Sequence, residues 1–282
     1  MHALNHLVLA GHDLDALRTT YAALGFTLTA AGQHPFGTGN TVIQLQGCYL
    51  ELLAVTRPAD VVEHVGNQFS FSAFNRDYLA RHEGFSMLVL DTPDAEATRA
   101  EWQAAGLRVH DCLRFSRQAR LPGGETITVG FVLAMLSNPK APWLGHFACQ
   151  HFQPGYYQQP EFLRHANDAR RVADVWISGP GALELSDHFA RTLGTDARAE
   201  GQDRIVLPTA SGDVVLASAD AFTDAFGVEP PHPGDGPHLA GLTIACGSLA
   251  HIETLGLRAV GPRRVLGPDR AFGLALAFQA AG

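Results

Sequence analysis

The stretch LNHLVLAGHDLDALRTTYAALGF, residues 4–26, decides the fold because it holds a strand, a helix and the turn between them. Its first seven residues, Leu4–Ala10, are mostly apolar and predict a strand. Asp13 follows, where a helix N-cap would accept bonds from the first free backbone amides. The leucines after it recur at helical spacing, and Gly25 ends the helix as a C′ glycine does. The stretch therefore predicts a βα unit that leads directly into another strand.

The same pattern recurs three more times along the chain of 282 residues. The later copies are GFSMLVLDTPDAEATRAEWQAAGLRV, RVADVWISGPGALELSDHFARTLG and HLAGLTIACGSLAHIETLGLRAV. Further apolar runs of strand length follow the helices. In the first copy these runs are Phe26–Ala30, Val42–Leu45 and Tyr49–Val55. The repeat indicates that one unit, a strand, a helix and three strands, is built four times in an α+β protein.

The composition excludes several kinds of partner. Hydrophobic residues make up 46% of the chain and charged residues 17%, which is ample material for packed cores. The net charge of −8 argues against a nucleic-acid partner, which needs clustered Lys and Arg. No apolar run approaches the about 18–20 residues that span a bilayer, so no membrane partner is expected. The amino terminus lacks the features of a signal peptide, which predicts a cytoplasmic protein.

The repeated unit resembles the βαβββ module of the vicinal oxygen chelate superfamily, which includes glyoxalase I, the extradiol dioxygenases and the bleomycin-resistance proteins. Three strings, HPFGTGN (34–40), CYLELLAV (48–55) and CQHFQP (149–154), resemble more narrowly an uncharacterised subgroup of glyoxalase-like proteins. The resemblance implies that modules pair and that their curved mixed sheets form a cup. Four modules imply two tandem glyoxalase-like domains, 1–165 and 166–282, with the candidate active cup in the first.

The resemblance also implies a divalent metal ion in that cup. In the superfamily's metal enzymes the ligands lie on the first and last strands of each paired module. His6 lies on the first strand of module 1 and Glu51 on its last strand. Imidazole and carboxylate ligands suit Fe, Mn, Ni or Zn and leave positions open for an oxygen substrate. The alternatives are a core histidine at position 6 and an outward-facing glutamate at position 51.

Module 2 departs from this ligand pattern. His6 lies seven residues before the predicted helix cap Asp13, and the same distance before the predicted cap Asp94 stands Met87, with Ser86 beside it. Only Ser86 is suited to a polar contact, and that contact would be with substrate. On the last strand, Gln150 and His151 are the two candidates for a side chain that faces into the cup. Neighbouring strand residues face opposite sides of a sheet, so only one of the two faces inward, and the sequence leaves that choice open.

The fullest metal set that the sequence allows is therefore His6, Glu51 and His151. Such a set is similar to the facial triad of nonheme iron oxygenases. Glu51 or His151 would then also serve as the catalytic base. Gln150, if it faces inward, is a candidate substrate contact.

The loop HPFGTGN is the second candidate constellation. Gly37 and Gly39 permit tight backbone geometry, including positive φ. His34, Thr38 and Asn40 are suited to bind an anionic or carbonyl group of a substrate. The alternative is a plain turn between the second and third strands.

Three further segments carry weaker predictions. The segment QFSFSAFNRD (68–77) alternates aromatic and small residues, which predicts a strand with one buried face. His165 is expected to contact substrate at the mouth of the cup. No other histidine belongs to a metal-binding cluster, so these are expected at the surface. They are His2, His12, His64, His82, His110, His146, His188, His232, His238 and His251.

The second domain is predicted to carry no chemistry. Its first strand, VADVWI, has Asp174 and Trp176 in place of a histidine. It is expected to support the cup or a homodimer. Two functions remain open for the first domain. One is a metal-dependent lyase, isomerase or dioxygenase acting on a small oxygenated metabolite, and the other is a metal-free protein that binds or sequesters a small molecule, as resistance proteins do.

Overall fold

The computed structural model describes residues 1–281 and confirms the α+β class. In the described residues, seventeen strands form one large mixed sheet that is curved and not closed. This arrangement is consistent with tandem glyoxalase-like modules. The division of the chain between residues 165 and 166 stays a prediction. Within residues 1–281, no helix has both the length and the apolar character that a membrane crossing requires.

Module 1 has the predicted order of a strand, a helix and three strands. Its elements are β1 (Leu4–Ala10), α1 (Leu14–Ala23), β2 (Gly32–Gln33), β3 (Thr38–Leu45) and β4 (Cys48–Val55). The Asp13 carboxylate accepts bonds from the backbone amides of Asp15 and Ala16, which is the predicted N-cap. Strand β1 lies beside β4 in parallel, so the first and last strands of the module are neighbours.

The run Phe26–Ala30, predicted as a strand, does not form one. Its first two backbone amides donate hydrogen bonds that do not belong to a β-sheet. The amide of Phe26 donates to the Tyr21 carbonyl at the end of α1, and that of Thr27 donates to the His165 ring. The second strand of the module is instead the short β2.

Module 2 follows an inserted helix. The elements are α2 (Phe71–Leu79), β5 (Gly84–Asp91), α3 (Ala95–Ala104), β6 (Arg108–Val109), β7 (Leu113–Arg120), β8 (Thr126–Ser137) and β9 (Gly145–His151). The strand predicted over 68–77 was wrong, because α2 occupies most of it. Ser70 caps the helix by accepting a bond from the Ala73 amide. Phe71, Phe74 and Tyr78 then recur at helical spacing on its buried side.

Modules 3 and 4 make up the rest of the chain. Module 3 contains β10 (Ala169–Ser178), α4 (Ser186–Leu193), β11 (Arg198–Ala199), β12 (Arg204–Leu207) and β13 (Asp213–Ala217), followed by α5 (Ala219–Phe226). Module 4 contains β14 (His238–Cys246), α6 (Ala250–Glu253), β15 (Arg258–Val260), β16 (Arg263–Leu266) and β17 (Ala275–Ala280). The two halves of the sheet meet where Leu239 of β14 pairs with Phe85 of β5.

The first half of the sheet buries both of its faces. Along β1, Leu7 and Leu9 point into the large core that includes residues of modules 3 and 4. Val8 and Ala10 point the other way, into a separate core rich in aromatic residues. This second core is the interior of the cup, and alternation along each strand decides which side chains reach it.

Two histidines that were predicted at the surface are buried. His146 and His238 are each about 2% exposed. His146 lies on the outward face of β9 and packs against Trp102 of α3 and Phe189 of α4. Contacts between α3 and α4 join the two halves of the molecule, and such a contact leaves no signal in the local sequence around His146.

Candidate functional site

A small cavity, lined mostly by buried side chains, lies inside the cup of modules 1 and 2. Its free volume is about 20 Å³, which is room for one or two water molecules. Its polar lining consists of His6, His34, Asn40, Glu51 and Arg117. The remaining wall consists of Tyr49, Phe71, Phe115, Phe131, Leu133, Phe147, Cys149 and Tyr157. Five polar side chains therefore converge on a space that is otherwise mostly aromatic, as is typical of binding sites.

Glu51 is the central acidic group of this cavity. It faces inward from β4 together with Tyr49 and Leu53, and it is 5% exposed. Its Oε1 accepts a hydrogen bond from the Asn40 amide on the neighbouring strand. Burial raises the pKa of the Glu51 carboxyl, although the Asn40 bond and the charge on Arg117 act in the opposite direction. The alternative of an outward-facing glutamate is therefore excluded.

Two imidazoles flank the Glu51 carboxylate. The His6 Nε2 lies 3.7 Å from its Oε2, and the His34 Nε2 lies 3.6 Å from its Oε1. Burial lowers the pKa of His34 to about 3, with a further contribution from the charge on Arg117. Burial also lowers the pKa of His6 well below its ordinary value. Both rings are neutral at neutral pH, and among these three groups only Glu51 has a pKa displaced toward neutrality.

Asn5 orients the His6 ring from outside the cavity. Its amide nitrogen donates to the Asp91 carboxylate at 2.8 Å, so its Oδ1 is left to accept. That oxygen lies 2.6 Å from the His6 Nδ1 and 3.0 Å from the His151 Nε2. Both ring nitrogens must therefore donate. The neutral His6 carries its proton on Nδ1, and its Nε2 lone pair faces Glu51.

This proton assignment can be tested by NMR. We expect ¹⁵N–¹H spectra of the wild-type protein near pH 7 to show His6 as the Nδ1–H tautomer. The Asn5→Leu variant removes the acceptor and is expected to shift His6 toward the Nε2–H form. The Asn5→Asp variant retains an acceptor oxygen and should keep the wild-type tautomer. A wild-type His6 in the Nε2–H form would contradict the assignment.

Arg117 is the cavity residue that the sequence reasoning missed. It lies on β7, is 7% exposed, and its Nη2 donates to the Tyr157 hydroxyl at 3.4 Å. Within residues 1–281 its Nε has no hydrogen-bond partner. A buried guanidinium with an unsatisfied donor is costly unless an acceptor is supplied. The site is therefore suited to a ligand with an anionic or carbonyl oxygen.

Module 2 supplies no ligand opposite His6 and Glu51. The N-caps of α1 and α3, at positions 13 and 94, are 81 residues apart (94 − 13), and this offset takes His6 to Met87. Phe147 has the register with β5 that Glu51 has with β1. Met87 and Phe147 thus occupy the symmetric positions, and neither is a donor that a hard divalent cation prefers.

The predicted set of metal ligands is not assembled. His151 faces the same side of β9 as Cys149, but its Nε2 bonds to Asn5 and the ring does not line the cavity. Arg117 already places a permanent positive charge beside Glu51. In the part of the chain that the structure describes, no group of three His, Cys, Asp or Glu side chains is arranged to hold a metal ion. The donor set therefore does not fit a divalent metal.

The other predicted substrate contacts have structural partners away from the cavity. The Gln150 Oε1 accepts from the Ala95 amide at the start of α3, on the outward face of β9. The Ser86 hydroxyl donates to Asn75 at 2.8 Å. His165 accepts a hydrogen bond from the Thr27 amide and donates one to the Gln44 carbonyl, so it links the segment after α1 to β3.

The HPFGTGN loop supports the cavity. The Thr38 hydroxyl lies 2.8 Å from the His34 Nδ1 and fixes that ring, while Asn40 holds Glu51. Gly37 has φ of +93°, and a Cβ there would lie 2.6 Å from the Arg57 carbonyl oxygen. Only glycine fits this approach. The loop is a turn, as the alternative predicted. It also positions His34 and Asn40 directly, and Glu51 through Asn40.

Comparisons with solved structures show that several proteins share this fold. A hypothetical protein from Staphylococcus aureus superimposes with a TM-score of 0.72 at 13% identity, and each chain is covered in full. A variant of 4-hydroxymandelate synthase from Streptomyces coelicolor gives 0.61 at 13% identity, covering all of this chain and 95% of the synthase. The Mn(II)-bound glyoxalase from Novosphingobium aromaticivorans gives 0.54 at 11% identity, covering 99% and 83%.

The family model described as "Glyoxalase-like domain" matches residues 4–203. The chain belongs to the glyoxalase-like domain family, as the sequence motifs predicted. A comparison with curated protein sequences gave no significant match. The structural neighbours share the fold at low identity, so the chemistry of this protein has to be inferred from its own cavity.

Proposed function

We propose that the protein is an enzyme that moves a proton at a carbon next to the carbonyl group of a small oxygenated acid, in an isomerase or lyase reaction. The observation that carries the proposal is the burial of one carboxylate and one guanidinium in the same aromatic-lined cavity. Glu51 is the general base, because burial moves its pKa toward the working range of such a base. Arg117 binds the oxygen on which negative charge develops.

The proposed step needs no reactant other than the substrate. Glu51 takes the proton from the carbon, the C–H electron pair forms a carbon–carbon double bond, and the carbonyl electrons move to the oxygen. Arg117 stabilises that enolate oxygen. The proton stays on Glu51, whose Oε2 faces the unprotonated His6 Nε2 at 3.7 Å, until it returns to the substrate. If the enolate is conjugated with a further carbon–carbon double bond, return of the proton to the far carbon gives an isomer. If a β-substituent leaves with its bonding electron pair, the product is that of a lyase.

The metal-dependent route that the resemblance implied is not part of this proposal, because the donor set of the cavity does not fit a divalent ion. The second candidate is metal-free binding without turnover. The narrow cavity favours it, since about 20 Å³ admits only a functional group and not a whole metabolite. Both candidates require Arg117, and only the first requires proton transfer.

Proton exchange in D₂O tests the proposal. Pyruvate and 2-oxobutanoate are incubated with the protein, and loss of the C3 proton signal is followed by ¹H NMR. We expect exchange that EDTA leaves unchanged and that the Arg117→Met variant slows at least about a hundredfold. Arg120→Met, an exposed arginine of the same strand, is the matched control and should behave as wild type. Arg117-dependent binding without exchange would establish the second candidate instead, and EDTA-sensitive exchange would overturn the metal-free mechanism.

A further inference from the structure

A groove of about 280 Å³ lies directly outside the cavity. The two spaces share Phe71 as a wall. Phe36, which lines the groove, stacks on His34 with ring centres 5.2 Å apart and meets Phe115 edge to face at 5.0 Å. A single layer of phenylalanine rings therefore separates the polar cavity from the groove.

The groove presents apolar side chains beside the uncharged polar residues Gln68, Ser70 and Ser72, and its charges are already neutralised. Its three charged residues are each paired within the chain: Glu63 with Arg76, Asp111 with Arg99 and Arg114 with Glu96. Val62 lines the groove and is 57% exposed. Phe69 and Leu113 complete the apolar wall. With no free charge to offer, the groove favours an uncharged apolar occupant.

The size of the cavity requires that most of the substrate lie elsewhere. About 20 Å³ accommodates a carbonyl or carboxylate end but no further chain. The groove is about fourteen times larger (280/20), and Phe71 is a wall of both spaces. An elongated acid whose oxygenated end reached Arg117 and Glu51 would place its remaining carbons in the groove.

We propose that this groove binds the apolar chain of the substrate, which is then a 2-oxo acid or related carbonyl acid with a tail of several carbons. This inference rests on the proposed function, since it takes Arg117 as the anchor of the oxygenated end. Of the rings between the two spaces, Phe115 on β7 is partly exposed, whereas Phe36 and Phe71 are buried. The proposal requires that the Phe115 ring rotate so that the two spaces connect.

Calorimetric titration with straight-chain 2-oxo acids from three to eight carbons tests the inference. Each methylene that leaves water for the groove is expected to lower Kd about three- to fourfold. The Val62→Asp variant places a charge in the groove, and we expect it to remove this dependence on chain length while Kd for pyruvate is unchanged. Val65→Asp is the matched control, because Val65 is 63% exposed on the same loop and does not line the groove.

The outcomes separate the two proposals. A Kd that does not change with chain length, or a Val62→Asp variant that binds the long acids as wild type does, overturns the groove assignment. If pyruvate binding is then still lost in Arg117→Met, the proposed function survives. Chain-length dependence that Arg117→Met leaves intact would support the groove and overturn the anchor at Arg117. Absence of binding by every acid overturns both.

Discussion

Replacing Glu51 with glutamine is expected to reduce the exchange of C3 protons of bound 2-oxo acids about a thousandfold. A general base contributes about 10²–10⁴-fold, and glutamine has no basic oxygen to take the proton. The amide oxygen of glutamine can still accept the Asn40 hydrogen bond, so binding and folding are preserved. ¹H NMR exchange rates in D₂O, together with Kd for the same acids, provide the measurement. Equal exchange rates in the Glu51→Gln variant and wild type would eliminate Glu51 as the base.

The rate of the same exchange reaction is expected to increase with pH. Only the ionised Glu51 carboxylate accepts a proton, so exchange should rise with pH and level off above the pKa of that group. Because burial raises this pKa, the midpoint lies above the ordinary value for a glutamic acid. The pKa of His34 is about 3, so that ring is neutral over this range and leaves the profile unchanged. A profile that fell as pH rose would point to a protonated group as the reactive one.

Acidification from pH 7 to pH 5 is expected to destabilise the protein steeply. Burial lowers the pKa of His146 well below its ordinary value, that of His34 to about 3 and that of His151 to about 4. Each ring therefore binds a proton in the unfolded chain at a pH where the folded protein binds none. The stability is fully present above about pH 6.5 and is lost as pH falls toward the lowered values, by up to about 1.4 kcal/mol per pH unit for each ring.

Urea unfolding at pH 7, 6 and 5 measures this loss, and His146 offers a variant to dissect it. Neither nitrogen of its ring has a partner in residues 1–281. We expect His146→Leu to raise the unfolding free energy at pH 7 by about 1–3 kcal/mol and to reduce the pH slope by about one proton. His12→Leu, at an exposed turn, is the comparison and should change neither. An unchanged slope in His146→Leu would show that other groups drive the acid transition.

The repeated unit was predictable because its signals are local. The cap at Asp13, the helical spacing after it and Gly25 all lie within one stretch, and the structure has them as predicted. The prediction for the aromatic segment at 68–77 failed because Phe69 and Phe71 have the spacing of a strand, while Phe71 and Phe74 have that of a helix, and so short a window does not decide between them. The Ser70 cap was the local signal that favoured a helix.

The site was predictable in part, for a different reason. His6 and Glu51 come from strands of one module, so a resemblance in that module brought them together. Arg117 comes from another module, and only tertiary structure places it beside them. A signal for it exists in LRFSRQAR, where Arg117 shares one strand face with Phe115 and Ala119 while the polar residues alternate with them. One charged residue on an apolar face predicts a buried polar contact.

Phe147 occupies the position symmetric with Glu51, so the cavity has two unlike sides. A carbon atom held there would meet a carboxylate on one side and a hydrocarbon wall on the other. The proposed base can then approach only one of the two faces of a planar enolate. At a prochiral CH₂ group, such as C3 of 2-oxobutanoate, exchange in D₂O would then place deuterium at only one of the two hydrogen positions. The product would be one enantiomer. Loss of symmetry between the modules thus provides a physical origin for stereochemical choice.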